Sequence, residues 1–307
     1  VFSVSAGLSE VLLSPTIAAI PSDDPQKAMS FLHSLYAFGV VAVVAVSTVF
    51  LKVFGHENWM YLMMLLALLP LIASAMFMLS PMPDMASESA SAGTATAKRK
   101  TLGLALFVAC IFFGSCAENV MSNWISSYTE TALHIDKAVG DLLGMAMFAV
   151  LLGAGRVAYS KFGKNIRPVL LGGMFGAACC YLVAGLAHSA LAAFLACIFT
   201  GLFTAMLWPG TLIMMEETLP CVGVAAYALM AAGGDLGASV APQLMGAVID
   251  KVSASPYVAG LAAGLHLSAE QVGLKAGMLV SAIFPLAGTV LIVLMLRYFK
   301  NQRTRAC

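Results

Sequence analysis

Apolar and polar positions along the chain separate into nine long apolar segments, roughly 1–20, 27–54, 58–80, 102–129, 139–160, 167–188, 190–216, 222–250 and 272–299. Each is close to the ~20 residues that a helix needs to cross the hydrocarbon core of a bilayer. The pattern predicts an all-α polytopic membrane protein with about nine transmembrane helices. Between the third and fourth segments, Pro81 to Lys100 is rich in Ser, Ala and Thr and ends in Lys98-Arg99-Lys100. This stretch reads as a flexible linker, dividing the chain into residues 1–80 with three helices, a linker at 81–100, and residues 101–307 with six.

Polar residues and helix breakers inside the apolar segments mark where protein or water, rather than lipid, must be met. They concentrate between Gly201 and Gln243, in Trp208-Pro209-Gly210, Glu216-Glu217 and Gly233-Gly234-Asp235-Leu236-Gly237. The same spacing occurs earlier at an offset of 194, with Gly201 over Gly7, Pro209 over Pro15, Leu229 over Leu35 and Gly233 over Gly39. Repeated prolines and glycines weigh most, because they set kinks and close helix contacts. If the repeat is real, about three helices, or about 90 residues, are expected upstream of Val1. The portion after Lys100 is then the better-packed part of the chain.

Composition agrees. The chain is 61% hydrophobic and 10% charged, against about 25% charged in soluble domains. The net charge of +1 gives no reason to expect nucleic acid as a partner. Of the 16 Lys and Arg residues, Lys27, Lys98, Arg99, Lys100, Arg156, Lys161, Lys164, Arg167, Arg297, Lys300, Arg303 and Arg305 gather on one side of the predicted topology. Lys52, Lys137, Lys251 and Lys275 lie on the other. The bias puts the linker and the C-terminus in the cytoplasm of a multi-pass plasma-membrane protein. The seven cysteines lie in or beside apolar segments or at the C-terminus, and read as small buried hydrophobes. No phosphate loop, dinucleotide fingerprint or metal-ligand spacing occurs, so neither an enzyme nor a cofactor or metal site is expected.

Two halves of six helices joined by a cytoplasmic linker resemble the major facilitator superfamily, of which this chain would cover helices four to twelve, the first three missing. The loop Gly155-Arg156-Val157-Ala158-Tyr159-Ser160-Lys161-Phe162-Gly163-Lys164 resembles the basic signature between the eighth and ninth helices of that family. It lacks the usual acid, with Tyr159 and Ser160 in that neighbourhood. The resemblance implies a gating role for Arg156, Lys161 and Lys164. Phe31-Leu32-His33 running to Gly39, Trp208-Pro209-Gly210 and Gly234-Asp235-Leu236-Gly237 look most like the fucose-permease-like branch.

Candidate chemistry follows from the buried polar groups. On segment 102–129, Glu118, Ser122 and Ser126 recur every four residues beside Asn119, Asn123 and Ser127, forming one polar face. That face suits a path for a hydroxylated solute, with Glu118, Asn119, Ser122 and Asn123 as ligands. The plainer alternative is interhelical hydrogen bonding. The resemblance adds that the seventh helix of the family lines its central cavity. Trp208, ahead of a kinking proline, could stack on a sugar or simply pack. Glu10 and Asp235 lie mid-segment, where a carboxylate is a candidate proton carrier or a structural partner. In the fucose-permease-like pattern, membrane acids carry the coupling proton. The expected function is a monomeric secondary transporter moving a small polar solute, a sugar among the candidates, with protons by alternating access. A non-transporting sensor or scaffold of the same fold, or a drug-efflux transporter, is the alternative.

Overall fold

The computed structural model describes residues 2–81, 83, 94–219, 223–264 and 267–306. Among these residues the chain is helical throughout: α1 (Phe2–Ala19), α2 (Pro25–Phe54), α3 (Trp59–Leu79), α4 (Thr94–Ser127), α5 (Lys137–Val139), α6 (Ala146–Phe162), α7 (Ile166–Leu186), α8 (Ala190–Thr204), α9 (Pro209–Thr218), α10 (Val224–Ser253), α11 (Pro256–Gly264), α12 (Ala269–Ser281) and α13 (Ile283–Ala306). Eight stretches are long and apolar enough to cross a membrane, and α1 is a shorter apolar helix beside them. Two spans are composite: α8 with α9 forms Ala190–Thr218, and α12 with α13 forms Ala269–Lys300. The all-α polytopic bundle expected from the apolar segments is the observed fold. One boundary differs: α4 begins at Thr94, so its first turns occupy the end of the expected linker, whose residues 84–93 lie outside the described ones.

Helix starts follow polar caps set between apolar runs. Asp24 accepts from the Lys27 amide ahead of α2, with Pro25 in the first turn, where its missing N–H costs nothing. Asn165 and Ser189 cap α7 and α8, and Ser268 forms a capping box with Gln271 at α12. Between α4 and α6 the chain passes through two π-helical turns, Tyr128–Ala132 and Gly140–Met145.

Packing is concentrated after residue 101. Before it, the buried apolar side chains among the described residues are Met29, Ala37 and Leu62. On α3, Leu62 is the buried residue, and the helix presents Leu, Met and Phe outward, as a lipid-facing helix does. Glycine sets the tightest crossings. A Cβ at Gly233 or Gly237 would lie 2.6 Å from Val108 or 2.5 Å from the Phe112 carbonyl, so α10 rides on α4 along a small-residue seam. A second seam joins α2 to α6. Ser160 Oγ donates to the Lys27 carbonyl (3.1 Å) and Ser30 Oγ to the Arg156 carbonyl (2.7 Å). One turn further on, Gly153 faces Ala37 and Phe38. Gln26 of α2 also donates to Glu217 of α9 (2.8 Å), at an exposed position.

Candidate functional site

The span α8–α9 breaks at Ala205–Trp208 because Pro209 has no N–H to give to the carbonyl four residues back. That carbonyl, Ala205 O, is not left orphaned: Arg156 Nε donates to it at 2.8 Å. Arg156 reaches there because Gly155 lets α6 approach α8 closely, a Cβ at Gly155 falling 2.6 Å from the Ala205 side chain. The rest of the guanidinium is equally committed. Nη1 donates to the His33 carbonyl of α2 (2.8 Å), and Nη2 meets both Glu118 oxygens of α4 at 3.2 and 3.4 Å. The Tyr36 ring covers it, with the centroid 5.9 Å from the guanidinium carbon. Arg156 is 2% exposed and Glu118 8%. A buried charge survives only when paired and hydrogen-bonded, and here one cation is bound to α2, α4 and the α8–α9 break at once.

This cluster forms one wall of a cavity of about 490 Å³, to which α1 contributes Ser9, Leu13 and Ser14 and α2 contributes Leu32, His33, Leu35 and Tyr36. The rest of the lining is Asn119, next to Glu118 on α4, then Trp208, and Asp235 with Ala238 of α10. Trp208 is held by the glycine opposite it, for a Cβ at Gly234 would lie 2.2 Å from the indole. Ser14 Oγ and His33 Nε2 stand 3.5 Å apart across the α1–α2 wall. A second chamber of about 220 Å³ adjoins the first, sharing Tyr36, Glu118 and Asn119 with it. It runs on between Ser122 and Asn123 of α4, Val40 of α2, and Met145, Phe148, Ala149 and Leu152.

The sequence-derived candidates therefore fall into three groups. Glu118, Asn119, Trp208 and Asp235 line the larger cavity, and Ser122 and Asn123 line the smaller one. Lys161, in the last turn of α6, and Lys164, on the connection to α7, are exposed, whereas Arg156, which the sequence places with them at the helix end, turns inward. The cause of that difference is the pairing: a guanidinium with an acid and two carbonyls within reach has no need of the interface. Glu10 lies on α1, and its side chain falls outside the described residues. Sequence reasoning missed Tyr36 and named His33 only as part of the Phe31-Leu32-His33 resemblance. The recurrence of Ser30, His33, Ala37 and Val40 at three- and four-residue steps was the available signal for that face. Among the described residues no group of His, Cys, Asp and Glu could hold a metal ion.

Comparison with known proteins agrees with this architecture. No curated protein matches the chain. Among solved structures, the Escherichia coli fucose:proton symporter FucP superposes with a TM-score of 0.66 at 13% identity, covering 95% of this chain and 74% of that one. A bacterial homologue of the human lysosomal transporter Spinster, in an inward-facing, unoccupied conformation, gives 0.54 at 14% identity, covering 98% and 70%. The sequence matches the family model of the Major Facilitator Superfamily over residues 1–242, and with that match over most of its length the chain belongs to this superfamily of multi-pass membrane transporters.

Proposed function

We propose that the protein is a proton-coupled symporter that moves a small polar solute of the sugar class by alternating access. The observation that carries the reading is the larger cavity. It combines an aromatic wall of Trp208 and Tyr36 with the polar groups of Asn119, Ser14, His33 and two acids, and it is lined from both sides of the linker. Aromatic faces beside a few convergent polar groups are what a sugar, with its C–H face and hydroxyl edge, requires. In this reading residues 1–80 and 101–307 are the two moving units, 81–100 is the cytoplasmic linker, and the protein works as a monomer in the plasma membrane. Glu118 and Asn119 bind the solute, and Glu10 and Asp235 are the acids available to carry the proton. Lys161 and Lys164 gate from the cytoplasmic loop. Arg156 gates from within, since it joins α2 to α6. The fucose:proton symporter among the structural neighbours favours a sugar as the class of solute and a proton as the ion for this chain.

The test is uptake by the full-length protein in liposomes, with labelled sugars and an imposed pH gradient. Saturable accumulation is expected when the outside is acidic, and it should collapse when the gradient is removed. Glu10→Gln should abolish gradient-driven accumulation and leave exchange of solute across the membrane intact, because the amide imitates the protonated acid. Accumulation that stays gradient-driven in this variant moves the coupling role to Asp235. Absence of saturable sugar uptake at every pH rejects the sugar reading.

A further inference from the structure

The smaller chamber is built differently from the larger one, and the difference is informative. One wall, from α4, is polar, and the opposite wall, from α6, is apolar. On the polar wall the amide nitrogens already donate to their own helix: Asn119 Nδ2 donates to the Ser115 carbonyl (3.0 Å) and Asn123 Nδ2 to the Asn119 carbonyl (2.8 Å). Asn119, with both amide protons engaged, has an acceptor oxygen left to offer, and Asn123 has its oxygen and one N–H. The facing wall of Phe148, Ala149 and Leu152 is almost wholly buried and offers no polar side chain. An occupant must therefore present a hydrogen-bonding edge, rich in donors, on one side and an apolar face on the other. The volume of about 220 Å³ equals about seven waters at about 30 Å³ each, room for one six-membered ring with its substituents.

The two chambers meet at Tyr36, Glu118 and Asn119. Tyr36 is itself 60% exposed and rests over the Arg156 guanidinium, so the divider is a side chain. Met145, contributed by the π-helical turn ahead of α6, is the flexible side chain on the smaller chamber.

We infer that the smaller chamber is a second sugar subsite, so that the solute is a disaccharide with one ring in each chamber, spanning the Tyr36–Glu118–Asn119 neck. This inference rests on the sugar reading above and narrows it from any small polar solute to one of two rings. Two plugs test it from two different helices without touching the polar ligands: Ala149→Leu on α6 and Val40→Phe on α2. Binding is read by calorimetry on the full-length protein in detergent, with glucose against maltose and cellobiose, and galactose against lactose and melibiose. Each variant is first checked for monodispersity, and the second plug serves if the first does not fold.

In the unmodified protein, at least one disaccharide should bind more tightly than its monosaccharide by on the order of tenfold or more. Both plugs should erase that advantage while leaving monosaccharide affinity within about twofold. Equal affinity for one ring and two in the unmodified protein overturns the subsite and leaves the sugar reading standing. So does an advantage that survives both plugs, or plugs that weaken one-ring and two-ring sugars alike. If no sugar binds, the sugar reading itself falls and takes the subsite with it.

Discussion

The buried pair between Arg156 and Glu118 gives the sharpest expectation. Arg156→Met leaves Glu118, 8% exposed, as a charge without its cation, and removes the donor that Ala205 O needs because Pro209 cannot supply one. Breaking a buried pair from one side costs ~3–5 kcal/mol, and an orphaned buried carbonyl adds ~1–3 kcal/mol. His33 O loses little, since it keeps its own helical partner. Glu118→Gln is gentler: the amide oxygen still accepts from Nη2, and Arg156 keeps both carbonyls, so about 2 kcal/mol is the expected loss. Combining the two changes removes the uncompensated charge and leaves chiefly the carbonyl of Ala205, about 1–3 kcal/mol.

The double variant should therefore be more stable than Arg156→Met alone, with a coupling energy of at least ~2 kcal/mol. At roughly 2–4 °C per kcal/mol for a chain of this size, Arg156→Met should melt roughly 10–30 °C lower in detergent, and the double variant should recover about two-thirds of that loss. Thermal melting followed by fluorescence-detected size exclusion measures all four proteins side by side. A double variant that melts at the sum of the two single losses would show that the two side chains are not energetically joined, and the four-element cluster would lose its central claim.

Three further expectations follow from single contacts. Gly234→Ala places a methyl where the Trp208 ring now lies, 2.2 Å away; the indole must shift within the cavity, weakening solute binding by on the order of tenfold or more. Unchanged affinity in that variant would mean that the indole does not contact the solute. Gly153→Leu drives a side chain between Ala37 and Phe38, an overpacking of about 1–3 kcal/mol seen as a lower melting temperature; an unchanged melt would mean that α2 and α6 are not pressed together there. Asp235→Asn should leave gradient-driven accumulation intact if Glu10 alone carries the proton, and loss of accumulation there with retention in Glu10→Gln would reverse the assignment.

What could be read from the residues, and what could not, divides along a physical line. Span number and extent were legible because a bilayer sets a length and punishes polar atoms. The break in the seventh long apolar segment was legible because Pro209 removes one donor. The polar face of α4 was legible because four-residue recurrence needs only helical geometry. Arg156 was not, because its destination depends on how α6 is rotated against α4 and on a free carbonyl two helices away in sequence. Near the end of an apolar segment, a cation bound for the interface and one bound for a buried acid look the same. Tyr36 was hidden for a related reason: on an apolar helix, an aromatic facing a cavity is indistinguishable by type from one facing lipid. Glycine roles were partly legible, since Gly233, Gly234 and Gly237 announced close contact, but not that two of them meet α4 and the third meets an indole.

The distribution of charge across the two proposed units suggests how the protein can move at low cost. Arg156 and Glu118 both belong to the stretch after the linker, on α6 and α4, so their pairing travels with that unit as a body. Among the described residues, what crosses to α2 is a set of single hydrogen bonds, Ser160 to Lys27 O, Ser30 to Arg156 O and to Met206 Sδ, Arg156 to His33 O, and Gln26 to Glu217, with the Tyr36 ring over Arg156 beside them. Interhelical hydrogen bonds in membrane proteins are worth about 0.6 kcal/mol each on average, so parting this seam forfeits only roughly 2–3 kcal/mol of bonding. Had the ion pair itself straddled the seam, every cycle would have had to separate buried charges at ~3–5 kcal/mol or more. Keeping the expensive interaction inside one unit and the inexpensive ones between units leaves α2 and α6 bound firmly enough to hold one conformation and loosely enough to exchange it for another.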